Sequence, residues 1–541
     1  MGMNETRVGA SIPSILSERA KKTFVVGLFA GAAVISSGSL AHAATYQVGP
    51  GKSYPDLASV ASRLAPGDVV EVEGDASYPG DVRLRKSGAP GAKITIRGVR
   101  KNGKRPVFRG GKNTVQIDGN HYVLEGLDIT GGSFRCVFNH ADDVTIRDSV
   151  VHDCPAHGIL GADTESGSLT LQYVEVHHAG EGERKHPIYV ATDERMYPDA
   201  VFRMEHCYVH DGNGGHNVKS RAGRNEIYSN WIEGAKFHEL ELIGSEEFPE
   251  NVLREDSDVV GNVLRKRNDF PVVRLGGDGA GQTNGRYRFV NNTILAGSKA
   301  VFRLYDGLES LEAHNNVFFR VGGGAVTLFR DRDAKWSRGH AILGGSNNWI
   351  TSGSDVPDVW VHTLQGNDPV FVDPSGAKPV PAANSPLRDA GNTYPQSPAA
   401  APFTEPLRIP VDSPPLAGNG SLGRSLGRTD GRIDIGALEV GMGARQARGD
   451  DENVGTAAQA LTIAGEEDVE VAELGDADAE ASDDADVDEE TAEAEDELAS
   501  EEGGMACSAA RSARPGASAF LVAGLFGLGL VRARRRKAPK A

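Results

Sequence analysis

The sequence predicts an all-β chain, a right-handed parallel β-helix solenoid of about ten rungs with an N-terminal capping helix. Three observations predict it. Short β-rich runs recur at intervals of roughly 22–34 residues, reading AHGIL, KHPIYV, GHNVKS, FHELEL, FPVVRL, KAVFRL and GAVTLF. A second set follows them, NEIYSNWI, DSDVVGNVL, YRFVNNTIL, LEAHNNVFF and GGSNNWI, in which Asn230, Asn262, Asn292, Asn316 and Asn348 each precede an aromatic, β-branched or aliphatic pair. Asparagines stacked at one corner satisfy each other's amides from rung to rung. Finally, helical periodicity is nearly absent while 67 glycines supply tight corners. A stacked β-sandwich competes with this reading, but it favours hairpin spacing and lacks the asparagine register.

The elements follow in order. In residues 1–43, Lys21 and Lys22 precede an apolar run that ends in the small residues Ala41 to Ala43, the tripartite pattern of a secretory signal peptide. Residues 45–445 form the solenoid. Its start carries SYPDLASVASRLAPGD, where Leu57, Val60 and Leu64 share a helical face, and then GDVVEV, which begins the coil. Residues 449–503 are an acidic linker: Asp450 to Glu502 hold 23 Asp or Glu and no Lys or Arg. Such a run repels itself into an extended spacer. It outweighs the net charge of −18 of the whole chain, so the body is close to neutral and charge argues against a nucleic-acid partner. Residues 505–541 contain Cys507, an apolar stretch from about Pro515 to Val531, and then Arg532, Arg534, Arg535, Arg536 and Lys537. That stretch is at the lower limit for spanning a bilayer, with its basic end cytoplasmic. Export permits disulfides, and Cys136 with Cys154 is a candidate pair.

Aligning the rungs on their apolar positions gives an inward column of Ile159, Ile188, Val218, Leu240, Val273 and Phe302. Side chains alternate faces along a strand, so Leu160, Tyr189, Lys219, Glu241, Arg274 and Arg303 form an outward column. Gly158, Pro187, Asn217, Glu239 and Val272 lie two residues earlier, and Arg221 two residues beyond Lys219. A polyanionic chain can lie along such a strip, and a salt-bridge ladder has the same composition. His157, His186, His216 and His238 head four successive rungs, which suits either metal ligation or a packing ladder.

Uronic-acid polymers are cut by β-elimination. The reaction needs the uronate carboxylate neutralised, a base for the C5 proton and an acid for the leaving oxygen. Lys219 is the candidate base, with Arg221 and Arg224 as the like charges a basic lysine requires. Tyr189 and Arg274 are candidate acids. Asn217, His216, His238, Arg303 and Trp231 are candidate substrate-binding residues, and Glu239 and Glu241 are candidate ligands for Ca²⁺. Those two glutamates also leave glycoside hydrolysis open, and a non-catalytic surface glycan-binding module is the main alternative.

Two resemblances sharpen this. The start of the body and its closing strings DPVFVD, NSPLRDAGN and GRTDGRIDIGALE resemble pectin-lyase-like β-helix proteins of secreted bacterial type. HNVKSRAGRNEIYSNWIEGAKFHELELIG is similar to the catalytic stretch of polysaccharide lyase family six, which includes alginate lyases and chondroitinase B. The match puts Lys219 on the family's Brønsted base. Leu242 or Ile243 stands where the family has its acidic arginine, and Gly212 and Gly214 stand where it has its calcium-binding glutamates. The C-terminal 37 residues resemble the myxobacterial sorting signal MYXO-CTERM. That resemblance implies a sorting protease acting near Cys507, membrane contact only through this segment, and display at the cell surface.

Overall fold

The computed structural model describes residues 43–440 apart from 246–255, 278–282, 298, 306, 332–341, 374, 399, 401–405, 411 and 416–431. The expected signal peptide of residues 1–43 (apart from residue 43), acidic linker and C-terminal sorting signal lie outside the described residues.

The β-rich runs of the sequence become short strands in three parallel sheets of 12, 10 and 12 strands. Sheet A begins at Thr45–Val48, sheet B at Ser77–Pro79 and sheet C at Val82–Leu84. From the Arg135–Asn139 strand to the Phe319 rung each strand pairs with the strand three later, so the chain visits A, B and C once per turn. This is the expected parallel β-helix, and sheet C has the ten strands expected for the rungs. Its core is the alternating inward residues, including Ile159, Ile188, Val218, Leu240, Val273 and Phe302, all fully buried. The capping helix is a single turn, Ala58–Ala61, and Leu57, Val60 and Leu64 are buried as their spacing requires.

The corner between sheets A and B explains the asparagine repeat. Tyr173, His206, Ser229, Asn291, Asn315 and Asn347 each take a positive φ there, which turns the chain sharply in one residue. The next residue points inward, and in five successive rungs it is Asn. The side-chain amide of Asn230 donates to Asn262 Oδ1 at 3.0 Å, Asn262 to Asn292 at 3.0 Å, Asn292 to Asn316 at 2.9 Å and Asn316 to Asn348 at 3.1 Å. Cys207 holds the same position one rung earlier, where burial pushes its thiol up to about 12, the signature of an inert packing residue. Cys136 and Cys154 form the disulfide that their spacing allowed.

The C-terminal part of the body returns across the solenoid. Leu407, Ile409 and Ile433 pack on Tyr228, Val260 and Val290 of sheet A, and Val380, Ala437 and Leu438 pack on Trp231 and Val263 of sheet B. This corrects one expectation. Trp231 is fully buried beneath that segment and has no face for a sugar ring. Neither cluster includes a sheet C residue, so it is the outer face of sheet C that carries the polar column.

Candidate functional site

Strand pairing sets Leu160, Tyr189, Lys219, Glu241, Arg274 and Arg303 side by side on sheet C, in the register the alternation predicted. The column continues through Phe138, Gln116 and Arg83 at one end and Arg330 at the other. Glu241 is its fully buried anchor. One carboxylate oxygen accepts from Arg274 at 2.9 Å, and the other lies 3.2 Å from His216 Nε2 and 4.0 Å from the Lys219 ammonium. That ammonium also sits 4.8 Å from the centroid of the Tyr189 ring. The Tyr189 hydroxyl accepts from Arg221 Nε at 3.1 Å, and Arg221 donates to the Gly244 carbonyl at 2.6 Å. Lys219 is only 3 % exposed and Arg221 fully buried, although both belong to the outward face. Arg274 and Arg303 lie against the Tyr305 ring, 4.1 and 5.1 Å from its centroid. Lys219 and Arg274 thus meet the Glu241 carboxylate, while Arg221 lies on the Tyr189 hydroxyl and Arg303 beside the Tyr305 ring.

The histidine column is a ladder along the edge of this cluster. The backbone N–H of His186 donates to His157 Nδ1 at 3.2 Å, that of His216 to His186 Nδ1 at 2.9 Å, and that of His238 to His216 Nδ1 at 3.1 Å. Each Nδ1 that accepts in this way is unprotonated. Burial first, and then the nearby cations, lower the imidazoles: His157 falls to about 3, and His186 and His238 also lie well below the usual range. His157, His186 and His238 therefore stay neutral near pH 7.

Three expected site residues lie elsewhere. Asn217 is fully buried, and its amide donates to the Glu233 carbonyl at 2.9 Å and to Glu239 at 2.7 Å. Glu239 is buried beside Lys266, whose ammonium lies 3.1 Å from its Oε1 and 2.9 Å from the Ala235 carbonyl, and it also bonds the Phe237 carbonyl. Burial pushes the Glu239 carboxyl up and the Lys266 ammonium down, partly offset by their mutual attraction. Arg224 belongs to sheet A and pairs with Asp258 and Glu226, so it adds no charge beside Lys219.

These positions bear on the metal. A calcium ion needs six to eight oxygen ligands. The oxygens of Glu239, Ala235 and Phe237 already enclose a lysine ammonium, and Glu241 is committed to Arg274 and His216. His216, His238 and Glu241 do bring ligand atoms within 4.8 Å of one another, but two imidazoles and one carboxylate are a donor set for a zinc-like ion. Glu239 and Glu241 therefore do not fit calcium.

Sequence reasoning missed Tyr305 and Lys266. Tyr305 lies two residues beyond Arg303, so the same alternation reaches it. Lys266 approaches Glu239 from the end of a sheet B strand on the following rung, and no local pattern announces that.

No protein-family model matches the chain, and no curated protein matches it by sequence. Among solved structures it is similar to pectate lyase Pel9A, at 12% identity over 73% of this chain and 96% of that one with a TM-score of 0.49. It is also similar to an alginate lyase from Paenibacillus sp. str. FPU-7, at 16% identity over 53% and 98% with a TM-score of 0.37. A third likeness is the lacto-N-biosidase from Eubacterium ramulus, at 12% identity over 60% and 67% with a TM-score of 0.33. At these values the likenesses carry no argument about chemistry, and the fold rests on the three sheets themselves.

Proposed function

We propose that this protein is an exported, surface-displayed polysaccharide lyase that cleaves uronic-acid polymers by β-elimination at the sheet C cluster. The observation that supports it is the meeting of Lys219 and Arg274 at the buried Glu241 carboxylate, with Arg221 on the Tyr189 hydroxyl beside them. In this reading Arg274, held by Glu241, and Arg221 neutralise the uronate carboxylate, which makes the C5 proton acidic. Lys219, acting as the free amine, takes that proton and becomes the ammonium, the C4–O bond breaks, and its electrons leave with the oxygen as C4 and C5 become double-bonded. The Tyr189 hydroxyl, bonded to Arg221, supplies the proton to the leaving oxygen. Arginine does the work of carboxylate neutralisation, so the proposal needs no calcium ion.

A second reading is a non-catalytic glycan-binding solenoid on the same strip. Leu242 and Ile243 favour it: both are fully buried, and one or the other stands where the lyase resemblance expects an arginine. Incubation with alginate, pectate and chondroitin, followed by the ultraviolet absorbance of the unsaturated uronate product, separates the two. Lys219→Ala is expected to lower the rate by about 10²–10⁴-fold, the usual contribution of a positioned base. Wild type that binds a polymer and releases no unsaturated product would leave only the binding reading.

A further inference from the structure

The corner that leads from sheet B into sheet C beside the cluster is built around a cation, and that cation is a side chain. The Lys266 ammonium is shut away from solvent. Its three donors meet three oxygens: the Ala235 carbonyl at 2.9 Å, Glu239 Oε1 at 3.1 Å and the Phe237 carbonyl. The Glu239 carboxylate is enclosed in turn by the Ala235 backbone N–H, 3.1 Å from either oxygen, and by the Asn217 amide at 2.7 Å. The Asn268 amide donates to the Ala235 and Lys236 carbonyls, both at 3.0 Å, and grips the same turn from the following rung.

The coil itself does not require this arrangement. Strand register places Gly234 and Ala296 at the position of Lys266 in the neighbouring rungs, and Pro187 and Val272 on either side of the Asn217–Glu239 pair. Corners without an ion pair thus exist next to this one, and exchanging a buried ion pair for apolar groups is often neutral or stabilising. The polar corner adds a rigid link across three rungs. Asn217 immediately precedes the strand Val218–Arg221 and Glu239 the strand Leu240–Leu242, so the link ends two residues from Lys219 and two from Glu241.

We infer that the Lys266 ammonium is the resident cation of this corner, standing where a bound metal ion would otherwise gather these oxygens, and that it is a positioning residue for Lys219 and Glu241. The positioning rests on the lyase reading, whereas the cation cage does not. Without the ammonium, Glu239 and two carbonyls face one another with no cation between them, and the turn opens. A small displacement at Lys219 is then enough to slow proton abstraction, because the base must meet the C5 proton at close range.

The test compares the full chain with Lys266→Ala, which vacates the cage, and Lys266→Met, which keeps the stem and removes the charge. Each is melted, and assayed on a polyuronate, with and without n-propylammonium chloride, the fragment that Lys266→Ala removes. Sodium chloride balances the ionic strength, and 1-propanol is the neutral control. Both variants are expected to melt several degrees below wild type and to lose kcat roughly tenfold or more, with KM changed less. Propylammonium should restore most of both losses in Lys266→Ala and neither in Lys266→Met, and propanol should restore nothing. A Lys266→Met variant with wild-type melting, propanol acting as well as propylammonium, or no restoration of Lys266→Ala by propylammonium would each overturn the cage. Melting restored without kcat would keep the cage and overturn the positioning. Wild type that cleaves no polyuronate would remove the lyase reading and the positioning with it, while the melting comparison would still decide the cage.

Discussion

Glu241 shows how much of the site depends on one side chain. It is fully buried, it orients Arg274, and it lies within 4.0 Å of both Lys219 and His216. Glu241→Gln keeps the shape and removes the charge, so the guanidinium loses a charge-assisted bond and Lys219 its only acidic neighbour in the column. Such bonds contribute about 1.5–3 kcal/mol. If Arg274 must be held to meet the uronate, turnover should fall roughly ten- to a hundredfold while the variant remains folded. Steady-state kinetics beside a thermal melt checks this, and a variant that simply unfolds would assign Glu241 to stability alone. Much of this residue-level picture is legible in the sequence. The rung spacing and the period of two placed Tyr189, Lys219, Glu241, Arg274 and Arg303 in one column. Burial was not legible. Glu239 and Asn217 have outward parity, yet both turn inward at the corner because Lys266, arriving from the next rung, supplies a cation there.

Two ladders of identical side chains bind successive rungs, and each responds differently to perturbation. Asn262 accepts from the backbone and side chain of Asn230 and donates to the Ile227 carbonyl and to Asn292. Asn262→Leu leaves these buried groups without their partner, at a cost of about 3 kcal/mol, read as a lower denaturant midpoint with an unchanged slope. The histidine ladder is sensitive to pH instead. The unfolded chain protonates its histidines near 6.5, whereas His157 in the fold does so only near 3. Between those values the unfolded chain binds more protons, so stability falls as pH drops from about 6.5 towards 3. His157→Gln should flatten that part of the stability–pH curve, measured by urea unfolding at several pH values. An unchanged curve would show that His157 titrates normally. The asparagine ladder could be read from sequence because five rungs repeat one residue at one corner. The neutrality of His157, His186 and His238 could not, because it depends on burial that the rungs acquire only when stacked.

At the scale of the molecule, the solenoid has three outer faces, and the C-terminal segment builds over parts of two of them. Sequence reasoning placed Trp231 among sugar-binding residues because it could not see that Leu438, about two hundred residues later, packs upon it. The covering leaves the sheet C column outside these packing clusters, in which residues of sheets A and B meet Leu407, Ile409, Ile433, Ala437 and Leu438. It also makes a separable prediction. Leu438 is 1 % exposed, and Leu438→Asp places a charge against Trp231 and Val263. Burying that charge is costlier than releasing the segment. Stability should fall by about 3 kcal/mol or more, and tryptophan emission should shift to the red as Trp231 meets water. Among the described residues that packing group holds no sheet C residue, so at temperatures below the lowered melt the KM for a polyuronate should stay at its wild-type value. A raised KM in a still-folded variant would mean that the C-terminal segment shapes the sheet C groove as well as closing sheets A and B, and the cluster around Lys219 would then be a property of the whole wrapped coil.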